Sequence, residues 1–211
     1  MKGNLIIISS PSGGGKGTLI REVLEIAPHI GYSVSLTTRP PRFGEENGKH
    51  YHFVTQSEFE AYREKGGFLE FAEVHGHFYG TSLEQTEQMT SSGMDVILEI
   101  DVQGAATILQ KMPEAVSIFI LPPSFEVLQA RLTARATEGM EDLELRLRNS
   151  LDEVMQFSSF GYVVINDEIP AASRKLAAII LAERQRPHRQ GEQIQGILVS
   201  FERSRLFKPE S

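Results

Sequence analysis

The sequence predicts an α/β fold: a parallel sheet with helices on both faces, interrupted by a smaller mixed α/β insertion. Three observations carry this expectation. Apolar, β-rich runs recur without polar alternation, as strands enclosed on both faces require. Each run is followed by a stretch of helical periodicity, the pattern of β-α-β crossovers. Between about residues 33 and 92 that alternation gives way to short strand-like pieces separated by glycine turns.

Asn4–Ser9 is the first expected strand and Ser10–Gly15 a loop. Lys16–Ala27 has helical spacing at Leu19, Ile20, Val23, Leu24 and Ala27, and Pro28 stops it. The insertion offers strand pieces at Ser33–Leu36, His50–Val54, Leu69–Val74 and His77–Tyr79, with helices at 56–65 and 82–92. Further core strands are expected at Val96–Ile100, Val116–Leu121 and Tyr162–Ile165, with helices at about 103–111, 124–135 and 170–185. The polar stretch 136–142 is read as a lid. The core thus covers about 1–32, 93–135 and 143–185, the insertion 33–92, and a C-terminal extension 186–211, either a terminal helix or an ordered tail.

The 211 residues suit one compact domain carrying a small insertion. Hydrophobic residues at 40% and charged residues at 23% are ordinary globular composition. The lack of cysteine excludes a disulfide scaffold, thiolate zinc sites and a cysteine nucleophile, and fits a reducing compartment. The apolar run Leu5–Ile8 is too short for a signal-peptide core or a membrane span, so a cytoplasmic protein without a membrane partner is expected. A net charge of −7 disfavours a nucleic-acid polymer as partner. The charge is uneven: residues 1–183 carry 15 basic and 25 acidic side chains, residues 184–211 carry 6 and 3. The basic tail would join subunits in a homodimer or higher homo-oligomer, lie on the core, or stay mobile.

Ser10-Pro11-Ser12-Gly13-Gly14-Gly15-Lys16-Gly17-Thr18 follows the first strand and opens the first helix, the setting of a P-loop. Glycines let backbone N–H groups and the helix N-terminus wrap a polyphosphate, and Lys16 would reach its β- and γ-phosphates. These nine residues form the expected ATP site of a P-loop NTPase-type core. Ser10 stands where the pattern has its first glycine, and Gly17 where it has a magnesium-contacting hydroxyl. The Gly15-Lys16-Gly17-Thr18 ending resembles the loop of adenylate kinases, which implies Mg2+ held through water near Thr18 and Asp101. Asp101 ends an apolar run, where an acid would reach magnesium or cap the next helix.

Arg39 and Arg42 are three apart and stiffened by Pro40-Pro41. Two such guanidiniums would clamp a dianionic monophosphate, with Tyr51 and Tyr79 adding hydroxyl donors; solvated surface charge is the plain alternative. The segment Ser33–Glu45, with Asn47–Tyr51, Phe68-Leu69-Glu70, Tyr79-Gly80-Thr81 and Leu98–Gly104, resembles guanylate kinase. The motifs occur in order, and the resemblance runs from residue 4 to about 185. It implies a P-loop nucleoside monophosphate kinase with a GMP-binding insertion and a helical lid. The implied activity is magnesium-dependent, reversible transfer of the ATP γ-phosphate to GMP, giving ADP and GDP in purine nucleotide metabolism, with no permanently bound cofactor.

The resemblance also implies roles. Glu70 matches the family's guanine-reading carboxylate, Ser35 its O6-side hydroxyl and Thr81 a further base contact. Glu99 and Asp101 border the same site; the family often has Asp at the position of Glu99. Arg135 and Arg146, with Lys16 and Arg42, are assigned to phosphoryl transfer, and Arg131 to ATP. Arg131 and Arg135 are one helical turn apart, hence on one face. Glu138, Glu141, Asp142 and Glu144 offer salt bridges as the alternative, the preferred reading for Arg148. Ala136 departs from the family's usual glycine. Asn166 matches the adenine-side loop, although turn chemistry also favours Asn166-Asp167 after a strand.

His50/His52 and His75/His77 are read as surface histidines rather than metal ligands, with no cysteine or carboxylate cluster to complete a site. Phe53, Phe59, Phe68, Phe71 and Phe78 are read as packing of the insertion. Two rival functions are a non-catalytic guanylate-kinase-like module binding phosphorylated peptide and a P-loop kinase for another small phosphorylated acceptor. Lys16, Arg135 and Arg146 speak against the first.

Overall fold

The computed structural model describes residues 2–74, 76–134 and 140–205. In chain order, β1 (Leu5–Ser9), α1 (Lys16–Ile26) and β2 (Ile30–Tyr32) open the core. Then come β3 (Leu36–Thr37), β4 (His52–Phe53), α2 (Gln56–Glu64), β5 (Phe68–Val74), β6 (His77–Ser82) and α3 (Leu83–Ser91). The core resumes with β7 (Asp95–Glu99), α4 (Val102–Lys111), β8 (Val116–Leu121), α5 (Phe125–Ala134) and α6 (Met140–Val154). It ends with β9 (Tyr162–Ile165), α7 (Ile169–Glu183) and α8 (Gly191–Arg205). None of the described helices is long and apolar enough to cross a membrane.

The core sheet is parallel, in the order β2-β7-β1-β8-β9. Alternation along β1 sends Ile6 and Ile8 to one face, against α1 and α7. Leu5 and Ile7 go to the other, with Ile108 of α4 and Met89 of α3. Both faces are dry, which is why these strands carry no polar alternation. The second sheet is mixed, ordered β4-β3-β6-β5. It packs on a small aromatic cluster in which Phe59 stacks at 4.5 Å on Phe68 and 5.5 Å on Phe78. Phe71 departs from the expected packing role: it is exposed, with Arg63 over its ring at 5.7 Å.

Several boundaries differ from those read in the sequence, three of them with a clear physical reason. β2 was not expected, because Ile-Gly-Tyr carries too short an apolar signal; its pairing with β7 makes it a strand. The mixed sheet therefore leaves the core after its second strand. Ser33 does not join β3, since its N–H donates to Ile97 of β7 at 3.0 Å and keeps the chain on the core sheet. α6 starts at Met140, inside the stretch read as a polar break. The tail forms a helix, α8, with Ile194, Ile197, Leu198 and Phe201 exposed along one stripe.

The helix starts are unequal. Thr55 caps α2 with a reciprocal Glu58 bond, Ser82 caps α3 and Asp101 caps α4. α1 has Gly15 at that place, at φ 90°, with no side-chain cap. At the opposite end of the sheet, Asp95 is a buried clasp. Its Oδ1 accepts from the Asn4 N–H at 2.6 Å, and its Oδ2 accepts from Arg184 Nε at 2.6 Å. Arg184 Nη2 also donates to the Pro28 carbonyl at 2.8 Å. One ion pair thus ties β1, β7, α7 and the turn before β2. Arg184→Ala, which strands a buried carboxylate, is expected to cost about 3–5 kcal/mol in urea unfolding, with turnover well below the melting range little changed.

Candidate active site

The site lies at the carboxyl ends of the core strands, where open α/β sheets bind ligands. The loop after β1 is shaped by its glycines. Gly13 and Gly15 have φ of 81° and 90°, a region that side chains rarely adopt. A Cβ on Gly15 would stand 2.4 Å from Asn166 Nδ2. The loop is also braced from three sides. Gly14 N–H donates to the Pro11 carbonyl at 2.9 Å. Asn166 Nδ2 donates to the Gly14 carbonyl at 2.9 Å. Ser12 N–H donates to Glu153 Oε2, on α6, at 2.9 Å. Arg131 Nη2 donates to the Asn166 carbonyl at 3.0 Å, and its Nη1 is buried without a partner among the described residues.

Asn166, Ser10 and Pro11, all expected at the ATP site, are buried in this structure. Asn166 is 2% exposed; its Nδ2 braces the loop, and its Oδ1 is buried without a partner among the described residues. Ser10 and Pro11 are buried, with Ser10 Oγ donating to the Pro11 carbonyl at 2.8 Å; they set the loop's conformation and do not line its mouth.

A cavity of about 210 Å³ opens beside the loop. Lys16 stands on its wall with Glu70, Ser35, Tyr79 and Asp101, brought together from α1, the mixed sheet, the segment before β3 and the start of α4. Tyr51 and Glu99 line it too, and they also line a neighbouring cavity of about 480 Å³ that holds Gly17 and Thr18. Glu99 reaches over Gly17, whose built Cβ would lie 3.6 Å from one carboxylate oxygen and 3.7 Å from the other. Tyr32 donates to Glu99 Oε2 at 3.2 Å. Burial first, and Glu99 second, hold the Tyr32 hydroxyl far above the usual phenol range. Burial likewise pushes Tyr51 up to about 12.

Glu70 is the buried acid of the site, 6% exposed. Burial pushes its carboxyl up to about 7; Thr81's hydroxyl opposes the shift and the Asp101 charge adds to it. Thr81 is fully buried and donates from Oγ1 to Glu70 Oε1 at 2.6 Å. In this structure the Thr81 hydroxyl thus supports Glu70. Asp101 accepts the Gly104 N–H on Oδ1 at 2.7 Å, so it caps α4 while facing the cavity.

The arginines are less gathered than the sequence suggests. Arg39 Nη2 donates to both Glu45 oxygens, at 2.9 and 3.0 Å, and its guanidinium lies 5.4 Å over Tyr51. Arg42 is exposed, and its backbone N–H donates to Glu45 at 2.7 Å. Arg131, Arg146 and Arg42 line neither cavity. Arg135, Ala136, Glu138 and most of the stretch read as a lid lie outside the described residues, as does His75. Of the other histidines, His50 accepts the Glu46 N–H on Nδ1 at 3.0 Å. Glu45, Tyr32 and Glu153 were missed as site residues. Glu45, three residues beyond Arg42 and six beyond Arg39, was the readable one: an acid there is placed to organise both.

The guanylate kinase family model matches residues 2–183. A guanylate kinase of Neisseria meningitidis serogroup A is 50% identical over 189 residues, covering 90% of this chain and 92% of that protein. One of Desulfitobacterium hafniense is 46% identical over 195 residues, covering 92% and 98%. The crystal structure of guanylate kinase from Anaplasma phagocytophilum superposes with a TM-score of 0.76 at 34% identity, covering 89% of each chain. The likeness extends over nearly the whole length, and the chain belongs to the guanylate kinase family.

Proposed function

We propose that the protein transfers the γ-phosphate of ATP to GMP, reversibly, giving ADP and GDP. The observation that carries this reading is one cavity with Lys16 on its wall and the buried carboxylate of Glu70 facing it. A phosphate-binding lysine and an acid able to accept two N–H donors suit the opposite ends of a guanine nucleotide complex. Guanine presents N1–H and a 2-amino group on one edge; adenine does not. Ser35 stands on the same wall for O6.

ATP phosphates would lie on residues 13–18, where the uncapped start of α1 leaves N–H groups pointing out. Arg39, Arg42, Tyr51 and Tyr79 would hold the GMP phosphate. An oxygen of that phosphate attacks the γ-phosphorus in line, and the bond to the ADP oxygen breaks. No covalent enzyme intermediate is needed; the work is alignment and charge stabilisation. Lys16 and the arginines Arg42, Arg135 and Arg146 would supply the charge, the last two carried in by closure of the region around α6.

Mg2+ fits the donors present. Asp101, Glu99 and the Thr18 hydroxyl are hard oxygen donors near Lys16, and among the described residues no group of three or more acids and histidines is placed to cage a metal ion. That set suits an ion held mainly by nucleotide phosphates and water. When bound, the ion would screen the phosphates and polarise the transferring group. The phosphopeptide-module and other-acceptor readings are not favoured, since relatives named guanylate kinase match nine-tenths of the chain.

ADP formation with ATP, Mg2+ and a panel of monophosphates tests the reading: GMP is expected to outpace AMP by ~10⁴ in kcat/KM, and no turnover with GMP in folded protein would end it. Glu70→Gln is expected to cut kcat/KM for GMP at least ~10²-fold while KM for ATP moves less than about twofold.

Glu70 also sets two pH effects. Free Glu70 must ionise to accept both guanine donors, so KM for GMP falls as pH rises through about 7 and levels off above it. The Gln variant should lack this step. For stability the sign is reversed from a salt-bridged acid. Below pH 4.5 the group is protonated folded and unfolded, and contributes nothing. Between 4.5 and about 7 the unfolded chain ionises first, so folding carries a growing penalty that is constant above. Glu70→Gln is thus expected to stabilise the protein by on the order of 3 kcal/mol above pH ~8, and not at all near pH ~4, as chemical denaturation at the two pH values will show.

A further inference from the structure

Gly104 is the third residue of α4. Glycine inside a helix weakens it relative to alanine, so its presence there calls for a reason. The space a side chain would take is already filled. A Cβ built on Gly104 lies 2.7 Å from Glu70 Oε2 and 3.2 Å from the Glu70 carboxyl carbon. It would also lie 3.2 Å from Asp101 Oδ1. The first distance is far inside contact.

Neither partner is placed to retreat freely. Thr81 holds the other oxygen of Glu70 at 2.6 Å. Lys111, at the far end of α4, donates to the carbonyl of Leu69 at 3.1 Å and pins the strand that carries Glu70. The Gly104 N–H is itself held by Asp101.

We propose that Gly104 is a positioning residue for base selectivity. Its bare backbone lets the Glu70 carboxylate lie against the start of α4, in the orientation that presents both oxygens to the two donors of a guanine edge. The inference rests on the guanine-reading role of Glu70 and deepens it. A methyl group at 104 turns the carboxylate about its Thr81 bond, and one of the two base contacts loses its alignment. The phosphate loop, on another element, is untouched.

The test is Gly104→Ala, with steady-state kinetics for both substrates, thermal melting, and the kcat/KM ratio of GMP to IMP, which lacks the 2-amino donor. KM for GMP is expected to rise about tenfold or more, while kcat and KM for ATP stay within about twofold. The GMP-to-IMP ratio should fall with only a small drop in melting temperature, because the helix propensity gained by alanine offsets part of the cost of turning the carboxylate. A second variant adds Glu70→Asp, which draws the carboxylate back by one methylene. Its loss combined with Gly104→Ala should be smaller than the product of the two single losses. Unchanged KM for GMP, equal rises for both substrates, or losses that simply multiply would each overturn the proposal. A wild type that does not turn over GMP would overturn the functional reading and this inference together; an active wild type with an indifferent Gly104→Ala overturns the inference alone.

Discussion

The seam between β5 and α4 is the constraint on which the rest of the site depends. Leu69 packs into the core cluster that includes Ile108 of α4, and Lys111 bonds its carbonyl. The next residue, Glu70, is thereby carried to the cavity although it belongs to the mixed sheet. Through that seam the Glu70 carboxylate, from the mixed sheet, and Lys16, at the start of the helix after the central strand β1, face one volume. Burial of an acid is costly unless it is satisfied; the hydrogen bond from Thr81 supplies part of that satisfaction, and the raised proton affinity of Glu70 shows that part is left over.

An acidic chain that handles polyanions must solve its charge problem locally. Arg39 is stored against Glu45, which also takes the Arg42 N–H. The pair keeps the Glu45 carboxyl below its ordinary range: burial opposes this, and the Arg39 guanidinium and the Arg42 N–H outweigh it. A guanidinium has five donors in a fixed fork, so holding a carboxylate with Nη2 leaves donors for a phosphate. The arrangement orients the arginine at little cost in reach.

Much of the core was legible because its signals are local. A buried strand, a glycine loop and a helix lie within some twenty residues, and β1, α1, β8 and β9 fall close to where periodicity places them. Lys16 and Glu70 stood out as motif residues, and the structure puts both on one cavity. What escaped was tertiary. Asn166 meets Gly14 across 152 residues, and Glu153 meets Ser12 across 141; no spacing rule spans such distances. The bond from Thr81 to Glu70 escaped as well, because a hydroxyl beside a carboxylate has the same sequence signature whether it faces a ligand or its neighbour. β2 was lost because three residues with a central glycine hold too little apolar signal, and only the neighbouring strand makes them one.

The missing cap of α1 has a further consequence. α2, α3 and α4 each close their first turn with a side chain of their own. α1 does not, and its inner face is nonetheless central to the core through Leu19, Ile20 and Val23. A helix whose positive end lacks an acceptor is completed by whatever anion arrives. In the proposed complex the nucleotide's phosphates would stand in for the absent cap, so that binding would stabilise the fold by mass action as well as serve the reaction.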